Sequence, residues 1–192
     1  MIRRLYERTL MLAGHRHALW ALAAVAFIES SVFPIPPDVL LIPMILAAPS
    51  RAFLFAFVAT AASVLGGLLG YAIGWGLMDA VGRPVLELYG KTDAFATLSA
   101  RFNAWGGWAV LIAGVTPFPY KVITIFAGTT GLGLPLFIGV SILARALRFF
   151  LVAALLWKFG APVRDFIERR LGLMFTLFTV MLIGGFYVLR YL

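Results

Sequence analysis

The chain has 192 residues, of which 62% are hydrophobic and only 12% are charged. A soluble domain carries about twice that charged fraction, so the composition excludes an ordinary soluble protein and predicts a single integral membrane domain. The formal net charge is +8, but the basic residues are scattered and form no soluble basic module, so nucleic acid is not an expected partner. Cysteine is absent and the two histidines, His15 and His17, lack ligand spacing, so neither a metal nor a cofactor is expected.

The N-terminal residues 1–17 contain four arginines and precede an apolar run. An alanine pair that resembles a cleavage site lies too far downstream for a signal peptide. We therefore predict an uncleaved amphipathic segment at the cytoplasmic membrane interface.

Residues 18–50 hold two apolar stretches that a proline-rich segment separates. The first, 18–32, has 15 residues and the second, 39–50, has 12, so as helices they would measure ~22 and ~18 Å. Neither crosses ~30 Å of hydrocarbon, and together they are predicted to form a re-entrant hairpin.

The rest of the chain is predicted to repeat this arrangement in the opposite sense. A second re-entrant hairpin is expected at 102–134, again broken by prolines. The other predicted elements are a span at 52–78, an amphipathic connector at 79–101, a span at 135–157, a cytoplasmic loop at 158–170 and a final span at 171–190. The predicted fold is thus an all-α integral membrane protein, an inverted repeat of re-entrant hairpin plus transmembrane helix with a final transmembrane helix. With a cytoplasmic N-terminus, nine basic residues fall inside and four outside, as the positive-inside rule requires.

One short motif occurs at both hairpin tips. Val32-Phe33-Pro34-Ile35-Pro36-Pro37-Asp38-Val39 aligns without a gap to Val115-Thr116-Pro117-Phe118-Pro119-Tyr120-Lys121-Val122. Proline removes a backbone donor and disfavours the preceding helical turn, so both copies predict helix breaks. The residues expected at these breaks are Pro34, Pro36, Pro37, Pro117 and Pro119.

Five ionisable residues lie within the hydrophobic parts of this map: Glu29, Asp38, Lys121, Arg145 and Arg148. A charge at the bilayer centre costs about 2.5–3.5 kcal/mol on insertion scales, so these groups are expected to face an interior cavity or to pair with one another. We predict that the two arginines reach Glu29 or Asp38. A purely structural set of buried salt bridges is the alternative, but buried pairs are weak stabilisers, which favours a functional role.

The same residues carry a resemblance to a known family. The segments that carry it are Phe27-Ile28-Glu29-Ser30-Ser31-Val32-Phe33-Pro34-Ile35-Pro36-Pro37-Asp38, Pro117-Phe118-Pro119-Tyr120-Lys121 and Ala127-Gly128. Together they resemble the bacterial DedA family of the VTT (SNARE-associated Golgi protein) superfamily, and more narrowly its short YqaA-like branch. The resemblance implies a multi-pass bacterial inner-membrane protein with two facing re-entrant hairpins and a role in membrane homeostasis. It also implies proton-linked transport, or the flipping or scrambling of lipids such as undecaprenyl phosphate. The family's acidic pair falls on Glu29 and Asp38. Of its two second-hairpin arginines, one is represented by Lys121, while Val115-Thr116 replaces the other.

Together these observations predict a proton-linked flippase or scramblase of an anionic lipid, a polyprenyl phosphate or a phospholipid, and not an enzyme. Lys121, Arg145 and Arg148 are the expected headgroup-binding residues. Glu29 and Asp38 are the expected proton carriers, because burial disfavours the charged form of a carboxylate. Two alternatives remain open, an intramembrane lipid-modifying enzyme and a non-transporting scaffold or assembly factor, as does a homo-oligomeric state.

Overall fold

The computed structural model describes residues 17–32, 36–116 and 118–189, with side chains described up to residue 160 and at 162. Every regular element within these ranges is helical. The seven α-helices are α1 (Ala18–Ser31), α2 (Asp38–Ala47), α3 (Ala52–Leu77), α4 (Arg83–Leu88), α5 (Thr92–Val115), α6 (Tyr120–Thr129) and α7 (Leu134–Leu189). A 3₁₀ turn, Pro49–Arg51, precedes α3, and a π-helical turn, Met78–Gly82, follows it.

Both proline motifs coincide with helix breaks. The helix α1 ends at Ser31, and α2 begins directly after Pro37, whose φ of −64° suits the start of a helix. The helix α5 ends at Val115, and α6 begins directly after the extended Pro119. The two predicted breaks are therefore confirmed, although Pro34 and Pro117 lie outside the described residues. Insertion of the two helix pairs as re-entrant hairpins stays a prediction.

Two boundaries differ from the sequence-based expectation. The predicted boundary between the connector at 79–101 and the following segment at 102–134 is absent, because α5 runs unbroken from Thr92 to Val115. The stretch 158–170, expected as a loop, is helical and belongs to the 56-residue α7, which contains Pro162. Both stretches are polar, but Ala, Arg, Leu and Glu are good helix formers, so polarity alone does not end a helix. The N-terminal residues 1–16 lie outside the described part of the chain.

The long helices α3 and α7 organise the packing. In each helix pair, the first arm packs against the long helix that follows it, α1 on α3 and α5 on α7. Each second arm packs mainly against the other long helix, α2 on α7 and α6 on α3. This exchange is the contact pattern expected of two related halves, and it brings both helix breaks towards the same two long helices.

Close approach of α3 to its neighbours depends on glycine. Gly74 lies against the backbone carbonyl of Ile125 on α6, and Gly128 on α6 lies against the carbonyl of Tyr71 on α3. A Cβ at either position would overlap backbone atoms that cannot move aside independently. Small residues at such contacts let membrane helices pack with their backbones nearly touching.

Among the residues whose side chains the structure describes, two segments are long and apolar enough to cross a membrane: Pro49–Leu88, which contains α3, and Leu134–Gly160, the first half of α7. The helices α1 and α2 are apolar but shorter, with 14 and 10 residues. This part of the chain is therefore an all-helical bundle with two candidate membrane-spanning helices, and the side chains of the predicted span at 171–190 lie outside it.

Candidate functional site at the helix breaks

The first acid–base pair joins α7 to the end of α1. Arg145 Nη2 donates a hydrogen bond of 2.8 Å to Glu29 Oε2, while Arg145 Nε donates one of 2.5 Å to Ser63 Oγ on α3. The side chains of Arg145 and Glu29 are only 2% and 14% exposed. Burial at this level requires that both charges be compensated by direct partners, and the pair meets that requirement.

Two serine hydroxyls complete a closed ring of hydrogen bonds around this pair. Ser30 Oγ donates to Glu29 Oε2 at 3.0 Å, and Ser30 Oγ and Ser63 Oγ are 2.6 Å apart. Because the Ser30 hydroxyl proton is directed at Glu29, Ser63 must be the donor to Ser30. The donors then run from Arg145 through Ser63 and Ser30 to the carboxylate, and Glu29 also accepts directly from Arg145. The donors of this ring are therefore directed along it toward the Glu29 carboxylate.

Aromatic rings enclose the Arg145 guanidinium. Its Cζ atom lies 4.8 Å from the ring centroid of Tyr120 and 4.7 Å from that of Phe149, both within the range of cation–π attraction. The Tyr120 hydroxyl donates a hydrogen bond of 2.5 Å to Ser141 Oγ on α7, which fixes the orientation of the ring. Arg145 is therefore held on several sides and has little freedom to reorient.

The second acid–base pair is more accessible. Arg148 Nη2 donates a 2.6 Å hydrogen bond to Asp38 Oδ2 at the start of α2, and Arg148 Nη1 donates one of 2.7 Å to the backbone carbonyl of Thr116. The side chains of Arg148 and Asp38 are 19% and 23% exposed. Since Arg148 follows Arg145 by three residues, one face of α7 presents both guanidinium groups.

At both helix breaks, a basic side chain donates a hydrogen bond to a backbone carbonyl at the end of a helix. The last carbonyls of a helix have no intrahelical partner, and they carry the negative end of the helix dipole. Lys121 Nζ donates a 3.1 Å hydrogen bond to the carbonyl of Val32, which caps α1, and Arg148 does the same at Thr116, which caps α5. A basic side chain therefore covers the end of the first arm in both helix pairs.

The predicted reach of both arginines to the two acids is confirmed by these distances. Lys121, which aligns with Asp38 in the repeated motif, donates its described hydrogen bond to the Val32 carbonyl. No pattern in the sequence distinguishes Ser30, Ser63 or Tyr120, which complete the environment of Arg145. Among the described residues, no three His, Asp or Glu side chains come together as a metal site would need. The substrate-binding and proton-carrying roles of the five charged residues stay predictions.

Comparisons with known proteins identify a family model and two relatives. The VTT domain model matches residues 35–158, which contain all of α2 and α3, the first part of α7 and four of the five charges. An uncharacterized protein from Haemophilus influenzae is 41% identical over 168 residues, covering 85% of this chain and 87% of its own length. The uncharacterized HI0703 homolog from Histophilus somni is 40% identical over the same lengths.

No solved structure matches the chain at a significant level. The family match is nevertheless extensive, and family membership is consistent with a transporter-like membrane protein. The chain therefore belongs to the VTT-domain family, which is the DedA family that its proline and charge motifs resemble.

Proposed function

We propose that this protein is a membrane transporter that moves an anionic lipid, a polyprenyl phosphate or a phospholipid, between leaflets in a proton-linked cycle. The observation that carries the proposal is the pair of acid–base contacts where the two helix breaks meet α7, Arg145–Glu29 and Arg148–Asp38. Irregular backbone at membrane depth is tolerated where it lines a protein interior or a cavity, and such breaks are common at transporter binding sites.

The charge balance of this site supports an anionic substrate. Three bases and two ionised acids give a net charge of +1, and protonation of one acid raises it to +2. Each protonation also releases an arginine from its carboxylate partner. A free guanidinium presents a planar fork of donors that matches a phosphate group. Proton uptake and headgroup binding are thereby linked through the same side chain.

The two pairs differ in a way that orders these events. Glu29 and Arg145 are nearly buried and share a closed ring of hydrogen bonds. Asp38 and Arg148 are about one-fifth exposed, and water or a headgroup can reach them without opening the ring. Asp38 is therefore the first acid to exchange a proton and Arg148 the first base to contact the headgroup. Glu29 and Arg145 follow, while Lys121 adds positive charge at the first break.

Reconstitution in liposomes tests this function. Leaflet exchange of a labelled anionic lipid is measured between pH 5 and 8 for the parent, Asp38→Asn, Glu29→Gln and the exposed-acid control Asp93→Asn. We expect both site variants to lose the pH dependence and the control to keep it. We expect Lys121→Met to weaken substrate affinity and to retain part of the proton coupling.

The same assay separates the alternatives. A chemically altered lipid would indicate an intramembrane enzyme, and neither exchange nor alteration would indicate a scaffold. If both acid variants transport like the parent across the pH range, the acids are structural partners of the bases and the coupling proposal is wrong.

A further inference from the structure

A second site lies away from the charged pairs, at the end of α3. A cavity of about 460 Å³ opens where the π-helical turn, α4, the first half of α5 and the end of α6 meet. Its walls include Trp75, Asp79, Arg83, Glu87, Phe95 and Ser99. None of the five charged residues of the helix breaks lines it, so it is distinct from the transport site proposed above.

The charges of this cavity favour a cation. Arg83 Nε lies 3.1 Å from Asp79 Oδ1, one helical turn away, so these two charges compensate each other. Glu87 forms no ion pair with any residue that the structure describes. Two acids and one base leave the wall with a net charge of −1. A free anion would be repelled by Glu87, and a cation would be attracted.

The uncharged lining points to an ammonium group in particular. Trp75 and Phe95 contribute aromatic rings, which attract organic cations through their negative faces. Ser99 Oγ is buried and has no hydrogen-bond partner within the described chain. An unpaired buried hydroxyl is costly, and an ammonium donor at this position would satisfy its acceptor lone pairs. The hydroxyl of Thr129, by contrast, is already used within its own helix through the Ile125 carbonyl.

We propose that this cavity binds a primary alkylammonium group, with Glu87 as the counter-charge, Ser99 as an acceptor and Trp75 and Phe95 as the aromatic wall. The group can belong to an aminophospholipid headgroup or to a soluble amine. In a headgroup, the phosphate next to the ammonium would lie toward Arg83, because its exposed ion pair with Asp79 is weakly held.

Binding to the purified full-length protein in detergent tests this proposal. Isothermal titration compares short-chain phosphatidylethanolamine, short-chain phosphatidylglycerol and free ethanolamine. We expect phosphatidylethanolamine to bind and phosphatidylglycerol to bind at least tenfold more weakly. Binding of ethanolamine as tight as that of phosphatidylethanolamine assigns the site to soluble amines, whereas tighter binding of the lipid assigns it to the headgroup. Either result supports an ammonium site.

Three variants locate the binding. Glu87→Gln should weaken binding by about fivefold to tenfold, since a hydrogen bond to a charged partner is lost at a partly open site. Ser99→Ala should weaken it by about threefold. Asp93→Asn removes an exposed acid of α5 that does not line the cavity, and it should bind like the parent. Because Glu87 is exposed, its substitution should leave the fold intact, which circular dichroism checks.

Equal binding of phosphatidylglycerol, unchanged binding by Glu87→Gln, or no binding by the parent would overturn the proposal.

Discussion

A guanidinium group is tolerated inside this apolar bundle because its surroundings replace water almost completely. Arg145 has a carboxylate, a hydroxyl and two aromatic rings as direct partners, and only 1% of the residue is exposed. Arg148, one turn later, bonds a carboxylate and a carbonyl but keeps contact with solvent. The same residue type therefore occupies a closed environment and an open one on a single helix face.

This difference predicts unequal costs of removing the two arginines. Arg145→Met should destabilise the protein by about 3 to 5 kcal/mol, because it leaves Glu29 buried without its cation. Arg148→Met should cost less, because solvent can still reach Asp38. Both variants and the parent are heated in detergent, and the loss of the monodisperse size-exclusion peak with temperature measures their stability. The double variant Glu29→Gln with Arg145→Met should recover part of the loss. Equal destabilisation by the two single variants would contradict the distinction between closed and open pairs.

The sequence identified the five charges, because an ionisable residue in an apolar run is costly and needs a partner. It could not identify Ser63 or Tyr120 as members of the site. A serine or a tyrosine in a membrane helix can equally bond its own backbone, face a neighbour or simply fill space. Only the packing of α3, α6 and α7 brings these hydroxyls into contact with Arg145 and Ser141.

At the scale of helices, proline and glycine are the residues that best predict local structure from the sequence. The prolines predict both breaks because their effect on the backbone is local. The start of α5 at Thr92 and the continuation of α7 through 158–170 are not predictable in the same way, since a change from apolar to polar residues alters the environment of a helix without ending it. Gly74 and Gly76 show a similar limit. Both lie near the end of α3, but only Gly74 contacts a neighbouring helix.

These two glycines provide a matched pair of variants. Gly74→Ala should destabilise the protein by about 1 to 3 kcal/mol, because the added methyl group overlaps the carbonyl of Ile125 and forces α6 away from α3. Gly76→Ala meets open space and should cause no loss of stability, since alanine is the better helix former. Thermal unfolding of both variants under the same detergent conditions makes the comparison. A loss of similar size in both would show that α3 needs glycine for a reason other than contact with α6.

At the scale of the whole molecule, the second helix pair has the geometry of a hairpin. Asn103 Nδ2 on α5 donates a 2.8 Å hydrogen bond to the carbonyl of Thr130, just beyond α6, and Leu132 packs against Gly106. The chain after α6 has therefore returned along α5 from the break at 116–119 to the level of residues 103–106. The 10 residues of α6 measure only ~15 Å, about half the hydrocarbon thickness. Both observations support a segment that enters the membrane and returns.

Such a segment predicts which positions share a side of the membrane. The parent chain contains no cysteine, so each single cysteine variant has a unique thiol. Lys91 lies before α5 and Gly133 after α6, and a re-entrant second pair places both on the periplasmic side. Arg51 lies after the first pair and should be cytoplasmic. A membrane-impermeant maleimide added to intact spheroplasts should therefore label Lys91→Cys and Gly133→Cys but not Arg51→Cys, and lysis should expose Arg51→Cys. All three residues are exposed in the structure, so failure to label means that the membrane keeps the reagent from the thiol, not that the thiol is buried.

Labelling of only one of the Lys91→Cys and Gly133→Cys variants would mean that the second helix pair crosses the membrane, and the inverted-repeat architecture would then be wrong.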